Sequence, residues 1–93
     1  MKAARNEIVE AVRGVLAEVL HRPADGISLD ASLELNLGMD SLTTIEASVA
    51  LEERFGVAMP DFARPDEAGL DTVLDLVELV ARKVAERDAK KGR

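Results

Sequence analysis

Three stretches of the chain place apolar residues every three to four positions, which is the spacing of one helix face. The first predicts a helix over residues 3–21, which ends before Pro23. The second predicts a helix between Asp40, a good N-cap, and Gly56, a natural stop. The third begins near Asp71, again a capping residue. The predicted buried faces consist of Ile8, Val12, Val15, Leu16, Val19 and Leu20, then Leu42, Ile45, Val49 and Leu51 to Phe55, then Val73, Leu74, Leu76, Val77, Val80 and Val84.

The connections between these helices differ in length. Residues 22–40 form a long segment that we expect to be an ordered loop, with or without a short helical turn. Residues 61–70 suit a turn or a helix of one to two turns. The pattern predicts an all-α fold: a small four-helix bundle of three main helices, a short third helix and a long first connection. The loop's apolar anchors are Ile27, Leu29, Leu33, Leu35 and Leu37.

Composition limits the chemistry that the chain can perform by itself. Its 93 residues are 47% hydrophobic, with two aromatic residues, no cysteine and a single histidine. An aliphatic core is typical of a small helical bundle, and the lack of cysteine excludes disulfide scaffolds, zinc fingers and a cysteine nucleophile. One histidine, His21, argues against a Ser-His-Asp hydrolase and a multi-histidine metal site. We therefore expect no catalytic residues and no metal site.

The charge is distributed unevenly along the chain. The net charge is −6, yet the last twelve residues hold six basic and two acidic side chains. The acidic remainder argues against nucleic-acid binding, which relies on clustered cations. We assign residues 1–85 to one domain and residues 86–93 to a basic, frayed tail. No apolar run is long enough to span a membrane and no signal-peptide core is present, so a cytoplasmic protein is expected. A monomer is expected because nothing in the sequence demands a larger assembly.

The segment LGMDSLTTIEASVALEERF, residues 37–55, carries the main candidate site. Gly38 permits a tight backbone approach and Asp40 caps the helix. Ser41 then occupies the first helical position, where free backbone N–H groups and the helix dipole favour a negative group such as a phosphate ester. We expect its side chain to be exposed. Two alternatives are an ordinary N-cap and a catalytic serine, although the latter lacks the G-x-S-x-G elbow.

These residues resemble the acyl carrier protein family, and the resemblance covers nearly the whole chain. It rests on L-G-M-D-S-L, T-T-I-E and A-L-E-E-R-F-G-V-A-M-P, on Ala31 to Leu33, and on Leu70 to Val73. It implies that Ser41 bears 4'-phosphopantetheine, taken from coenzyme A by a phosphopantetheinyl transferase with magnesium. The arm's thiol would hold acyl groups as thioesters, so the chain is a carrier and not an enzyme. Asp40 matches the aspartate that engages the transferase.

The resemblance also implies a recognition surface and a channel for the cargo. The recognition residues on the second helix would be Leu42, Ile45, Glu46, Glu52 and Glu53, each of which could instead belong to a solvated or packed helix face. A core that repacks readily could admit an acyl chain, although such residues are usually only core. The candidate channel residues are Leu33, Leu51, Met59, Leu70 and Leu76.

Some positions depart from the fatty-acid carrier pattern. Thr43 and Asn36 stand where that pattern has acids, residue 54 is Arg, and Phe62 lies in a segment similar to that of aminoacyl and peptidyl carriers. We therefore expect a stand-alone acyl carrier of polyketide or other secondary-metabolite biosynthesis, served by a loading enzyme and downstream synthases. The alternatives are an aminoacyl or peptidyl carrier of nonribosomal peptide biosynthesis, a fatty-acid carrier and an unmodified helical interaction module.

Overall fold

The helices begin and end close to where capping residues place them. The computed structural model describes residues 5–60 and 63–91, and within these residues it contains helices and no strands. The predicted all-α fold with three main helices and a short third helix is confirmed. Phe62 lies outside the described residues. The α-helices are α1 (Arg5–Leu20), α2 (Ser41–Phe55) and α3 (Val73–Lys91), and the two 3-10 helices are η1 (Ala24–Gly26) and η2 (Pro65–Ala68).

The core is aliphatic and draws on all three α-helices and on the long loop. Val12, Leu16, Val77 and Val80 have no more than a trace of exposed surface. Burial of a side chain of this size contributes about 1.5–3 kcal/mol to folding. The other buried hydrophobic residues include Ile8, Val15, Ile27, Leu33, Leu37, Met39, Ala47, Leu51, Phe55, Met59, Leu70, Val73, Leu76, Leu79 and Val84.

The predicted buried face of α2 is wrong in its first half. Leu42, Ile45 and Val49 are 65%, 49% and 47% exposed. The residues of α2 that face the core are instead Thr44, Ala47, Leu51 and Phe55. Both sets follow helical spacing, so periodicity alone cannot choose between them. Hydrophobicity favoured Leu42, Ile45 and Val49 as the buried residues. The true core side of α2 begins instead with the polar Thr44 and the small Ala47.

Two further leucines lie outside the core although the sequence places them in it. Leu35 is 89% exposed, because it sits in a turn where its N–H donates to Ser32 Oγ at 3.0 Å. Leu74 is 39% exposed, since the buried stripe of α3 starts at Val73 and continues through Leu76. Turn geometry and the exact start of a helix decide both positions, and neither follows from hydrophobicity.

The start of α3 also differs from the expected one. The helix begins at Val73, and Thr72, not Asp71, acts as the cap: Thr72 Oγ1 accepts the N–H of Asp75 at 3.3 Å. In return the Asp75 carboxylate accepts the N–H groups of Asp71 and Thr72 at 2.9 and 3.0 Å. These bonds hold the pKa of Asp75 below its usual value, with the Thr72 N–H as the main cause.

The long loop is ordered, as the sequence predicts, because it hydrogen-bonds to the start of α3. Carbonyl groups of the loop accept the first N–H groups of that helix, which have no partner within the helix itself. The bonds are Val73 N–H to Ala31 O at 3.1 Å, Leu74 N–H to Leu29 O at 2.8 Å and, in the opposite direction, Leu33 N–H to Asp71 O at 2.8 Å. They form a short antiparallel bridge between Ser32 and Thr72.

The C-terminal part of α3 packs against the end of α2. Arg87 donates through Nη1 to the backbone carbonyl of Phe55 and through Nη2 to Asp88 at 2.7 Å. The helix continues to Lys91, so residues 86–91 of the expected tail are helical. The domain boundary at residue 85 stays a prediction.

The same substitution on the two faces of α2 should have effects of very different size on stability. Leu51→Ala removes a side chain that is 1% exposed and leaves a void, so we expect a loss of about 2–5 kcal/mol in the free energy of unfolding. Leu42→Ala, on the outer stripe, should change it by no more than about 0.5 kcal/mol. Urea unfolding measures both. Equal losses in the two variants would contradict the assignment of the faces.

Candidate functional site

Ser41 is the first residue of α2, and its side chain is exposed. The position of the helix start is fixed by a capping box, in which two residues satisfy each other's backbone donors. Asp40 Oδ1 accepts the Thr43 N–H at 2.9 Å, and Thr43 Oγ1 accepts the Asp40 N–H at 3.0 Å. Ser41 therefore stands at a well-defined helix N-terminus, as the sequence predicts.

The chain approaches this terminus through a turn that needs glycine. Gly38 has a φ of 64°, in the left-handed region that other residues adopt only with strain. Its N–H donates to Glu34 O at 3.1 Å, and the N–H of Met39 donates to Leu33 O at 3.0 Å. Met39 is buried, so the segment before Ser41 is anchored in the core while the serine itself faces outwards.

The electrostatics of the terminus favour an anion on Ser41. The first N–H groups of a helix lack carbonyl partners within it and carry a partial positive charge. The Asp40 carboxylate takes one of them, the Thr43 N–H, and the first turn of α2 itself contains no further acidic residue. The Thr43 N–H and hydroxyl hold the pKa of the Asp40 carboxyl below its usual value. The site thus fits a phosphodiester on Ser41, with Asp40 ionised beside it at neutral pH.

The predicted recognition residues do not all lie on one surface. Leu42, Ile45, Glu46 and Glu53 are exposed. Glu52 is half-buried, and its Oε2 accepts the backbone N–H of Met59 at 2.9 Å. Its carboxylate therefore holds the segment after α2 in place. Sequence reasoning missed this bond, since it depends on where the chain turns after Gly56.

An open groove of about 480 Å³ runs between α2 and the end of α1. From α2 it is lined by two of the predicted recognition acids and by Ile45 and Val49 of the outer apolar stripe. The end of α1 contributes to the lining, together with His21, which directly follows that helix and has a φ of 57°. The sequence did not predict the contribution of α1 to this groove. The spacing of Ile45 and Val49 could have indicated an outer apolar stripe on α2. The lining residues are Glu18, Val19, His21, Ile45, Glu46, Val49, Ala50 and Glu53.

A small cavity lies on the opposite, core side of α2. Four of the five predicted channel residues line it: Leu33, Leu51, Leu70 and Leu76. Met59 is buried but is not part of the lining. The cavity volume is about 10 Å³, close to the space that one water molecule needs, so a chain could enter only if the walls move apart. The remaining lining residues are Met39, Thr44, Ala47, Ser48 and Pro65.

Comparisons with known proteins agree with this geometry. The family model described as "Phosphopantetheine attachment site" matches residues 10–80, which contain all of α2 and the loop before it. The chain is 32% identical over 83 residues to acyl carrier protein 3 of Ralstonia nicotianae, a match that covers 89% of this chain and 92% of that protein. The chain belongs to the acyl carrier protein family.

Other relatives support the same assignment. The acyl carrier protein of Thermosynechococcus vestitus is 36% identical over 81 residues, with 87% of this chain and 96% of that protein covered. The solution structure of the apo doublet acyl carrier protein from prodigiosin biosynthesis matches with a TM-score of 0.70 at 22% identity, a likeness of fold. That match covers 84% of this chain and 36% of the doublet protein.

Family membership fixes the general role of the carrier domain. It is a carrier and not a catalyst, and its prosthetic group is a covalently attached 4'-phosphopantetheine. It works with a phosphopantetheinyl transferase and with biosynthetic enzymes. The described residues contain no group of His, Cys, Asp and Glu side chains suited to a metal ion. None of the described helices is long and apolar enough to cross a bilayer.

The lowered pKa of Asp40 predicts a specific acid dependence of stability. Its charged form is favoured in the folded state, so this contribution is full above the unfolded pKa, about 3.9, and is lost as the pH falls through the folded value. Asparagine caps a helix about as well but does not titrate. We expect the free energy of unfolding of Asp40→Asn to fall less than that of the wild type between about pH 5 and pH 2.

Denaturant unfolding across this pH range measures the effect. Thr43→Val retains the backbone donor but loses the hydroxyl, and should give an intermediate dependence. A wild-type pH profile in Asp40→Asn would show that Asp40 does not supply this acid sensitivity.

Proposed function

We propose that Ser41 carries the phosphopantetheine arm and that the carrier domain transports acyl intermediates of polyketide or other secondary-metabolite biosynthesis. The observation that supports the attachment site is the exposed hydroxyl of Ser41 at a capped helix N-terminus without acids in its first turn. A phosphodiester there gains about 0.3–1 kcal/mol from the helix dipole.

The other serines offer poorer attachment sites. Ser28 Oγ donates to Asp30, and Ser32 Oγ accepts the Leu35 N–H at 3.0 Å. Ser48 is half-buried in the third turn of α2 and lines the core cavity. Ser41 is the serine that combines exposure with the electrostatics of a helix start.

The mechanism we propose is positional. The arm supplies a thiol that holds the cargo as a thioester, while the residues of α2 present that thioester to partner enzymes. Leu42 lies beside the attachment serine, and Ile45, Glu46 and Glu53 continue the surface along the helix. A tethered thioester next to a docked active site has a high effective concentration, which replaces an encounter in free solution.

The make-up of this surface supports a specialised pathway. Its centre is apolar, with Leu42, Ile45 and Val49 exposed, and Glu46 and Glu53 are the acids beside them. Glu52 is engaged with the backbone of Met59, and Thr43 is occupied in the capping box. Such a surface suits partners that dock through apolar contacts, with a modest contribution from basic residues.

Two of the departures from the fatty-acid pattern have local structural roles. Asn36 Oδ1 accepts the Ser32 N–H at 2.7 Å and so shapes the loop. Arg54 lies over the ring of Phe55, with its guanidinium carbon 5.6 Å from the ring centroid. Asn36 is neutral and Arg54 is cationic, so both make the surface less acidic than the fatty-acid pattern.

The attachment site is tested by incubating the protein with coenzyme A, magnesium and a promiscuous phosphopantetheinyl transferase. The intact mass should rise by one phosphopantetheine, and one titratable thiol per chain should appear, because the sequence contains no cysteine. Ser41→Ala should remain unmodified, while the matched control Ser28→Ala should gain the same mass as the wild type. An unchanged wild-type mass would refute the carrier role.

The docking surface is tested with the same transferase. Glu46→Gln and Glu53→Gln should each raise its KM by about two- to fivefold at low salt, the range expected for an exposed charge contact. Glu86→Gln, an exposed acid on α3 that is not part of the groove lining, is the control and should leave the KM unchanged. Added salt should reduce the difference, because it screens exposed charges. Equal effects of all three substitutions would contradict the proposed surface.

A further inference from the structure

Thr44 places a polar group in the core where nothing in the described part of the chain pairs with it. Its side chain is 2% exposed, and its Oγ1 has no hydrogen-bond partner. Its backbone N–H donates to Asp40 O at 2.9 Å. A threonine hydroxyl on a helix often bonds to a carbonyl of the preceding turn, and this one does not. A buried hydroxyl without a partner destabilises the protein, so its presence needs a reason.

The surroundings of Thr44 indicate what the hydroxyl is for. Its side chain lines the cavity between α2, α3 and η2, whose other walls include Leu33, Leu70 and Leu76. The cavity is also close to the attachment serine: Thr44 lies three residues after Ser41, which corresponds to about 4.5 Å along the helix axis. The arm is therefore attached within one turn of α2 from this cavity, and an arm that folds back along α2 brings its cargo to the cavity.

We propose that Thr44 selects the cargo of this carrier by donating a hydrogen bond to an oxygen on the acyl chain, such as a 3-oxo or 3-hydroxy group. The inference rests on the attachment at Ser41 proposed above and adds the chemical class of the cargo. An oxygenated chain supplies the acceptor that the hydroxyl lacks, and its hydrocarbon part packs against the leucines. A saturated chain has no such oxygen, so it leaves the Thr44 hydroxyl without a hydrogen-bond partner.

The asymmetry between these two cargoes follows from the cost of unpaired polar groups. A site built to hydrogen-bond a polar substrate rejects the analogue without that group far more strongly than an apolar pocket rejects an added one. Thr44 is the one fully buried polar side chain among the described residues, so the discrimination depends on a single hydroxyl. Ser48, the other hydroxyl residue of the lining, is only half-buried and serves as an internal control.

The experiment compares three cargoes of equal length on the full chain. Wild type, Thr44→Val, Thr44→Ser and Ser48→Ala are loaded at Ser41 from butanoyl-, 3-hydroxybutanoyl- and 3-oxobutanoyl-coenzyme A with a promiscuous transferase. Intact mass confirms the loading, and thermal unfolding measures the Tm of each form. Failure to load would refute the attachment at Ser41, whereas successful loading isolates the question of Thr44.

For the wild type we expect both oxygenated forms to melt several degrees above the butanoyl form. Thr44→Val should abolish this difference, while Thr44→Ser and Ser48→Ala should keep it. The unloaded Thr44→Val protein should melt about 4–8 °C above the unloaded wild type, because it loses an unpaired hydroxyl at nearly constant shape.

Three results would overturn the proposal. A lower Tm of unloaded Thr44→Val would show that the hydroxyl already has a partner in the empty protein. A difference between oxygenated and saturated cargo that survives in Thr44→Val would place the recognising group elsewhere. If Thr44→Val lowered the Tm of all three loaded forms equally, the hydroxyl would bond to the thioester carbonyl, which every cargo shares.

Discussion

The structure depends on how the unpaired N–H groups at the starts of α2 and α3 find acceptors. At α3 the acceptors are carbonyls of the long loop, Ala31 and Leu29, so the helix start and the loop fix each other. The loop cannot move without exposing donors that would then lack partners. Because this loop leads through Gly38 to Asp40, the bonds at α3 hold the segment that enters α2, while the capping box sets the residue at which α2 begins. The proposed attachment site thus depends on a local cap and on contacts that the preceding loop makes with α3.

Helix α2 contributes both to the core and to the exposed surface, and small residues on its inner side make this possible. Ala47 and Thr44 face the core, where they leave room for α1 and for the leucines of the loop. Larger apolar residues, Leu42 and Ile45, are thereby available on the outside, where they would be a liability in a helix with no partners. Because the core is filled largely by other elements, α2 can keep these large apolar residues on the surface that we propose for docking. Its inner and outer faces meet at Ser41, from which a cargo can reach either.

Local chemistry explains which parts of this arrangement the sequence could predict. The boundaries of α2 follow from Asp40 and Gly56, whose side chain and left-handed backbone act within a few residues, and the candidate Ser41 follows with them. The burial of α2 could not be predicted, because two stripes of similar spacing compete and the neighbouring helices choose between them. Glu52 was misplaced for a related reason: its partner, the N–H of Met59, is set by the path of the chain after the helix. Interactions within one helical turn can be predicted from the sequence, whereas interactions with a distant segment of the chain cannot.

A carrier must protect its cargo and also give it up, and a cargo site in the interior cavity, as proposed above, would meet both demands. At about 10 Å³ it is nearly closed, so a sheltered chain has to hold the walls apart. Opening a well-packed core has a free-energy cost, which offsets part of what the chain gains by leaving water. The sheltered state is consequently only weakly preferred, and contact with a partner can shift the cargo outwards with little differential affinity. A hydroxyl at Thr44 adjusts this balance for one class of cargo without deepening the cavity for all of them.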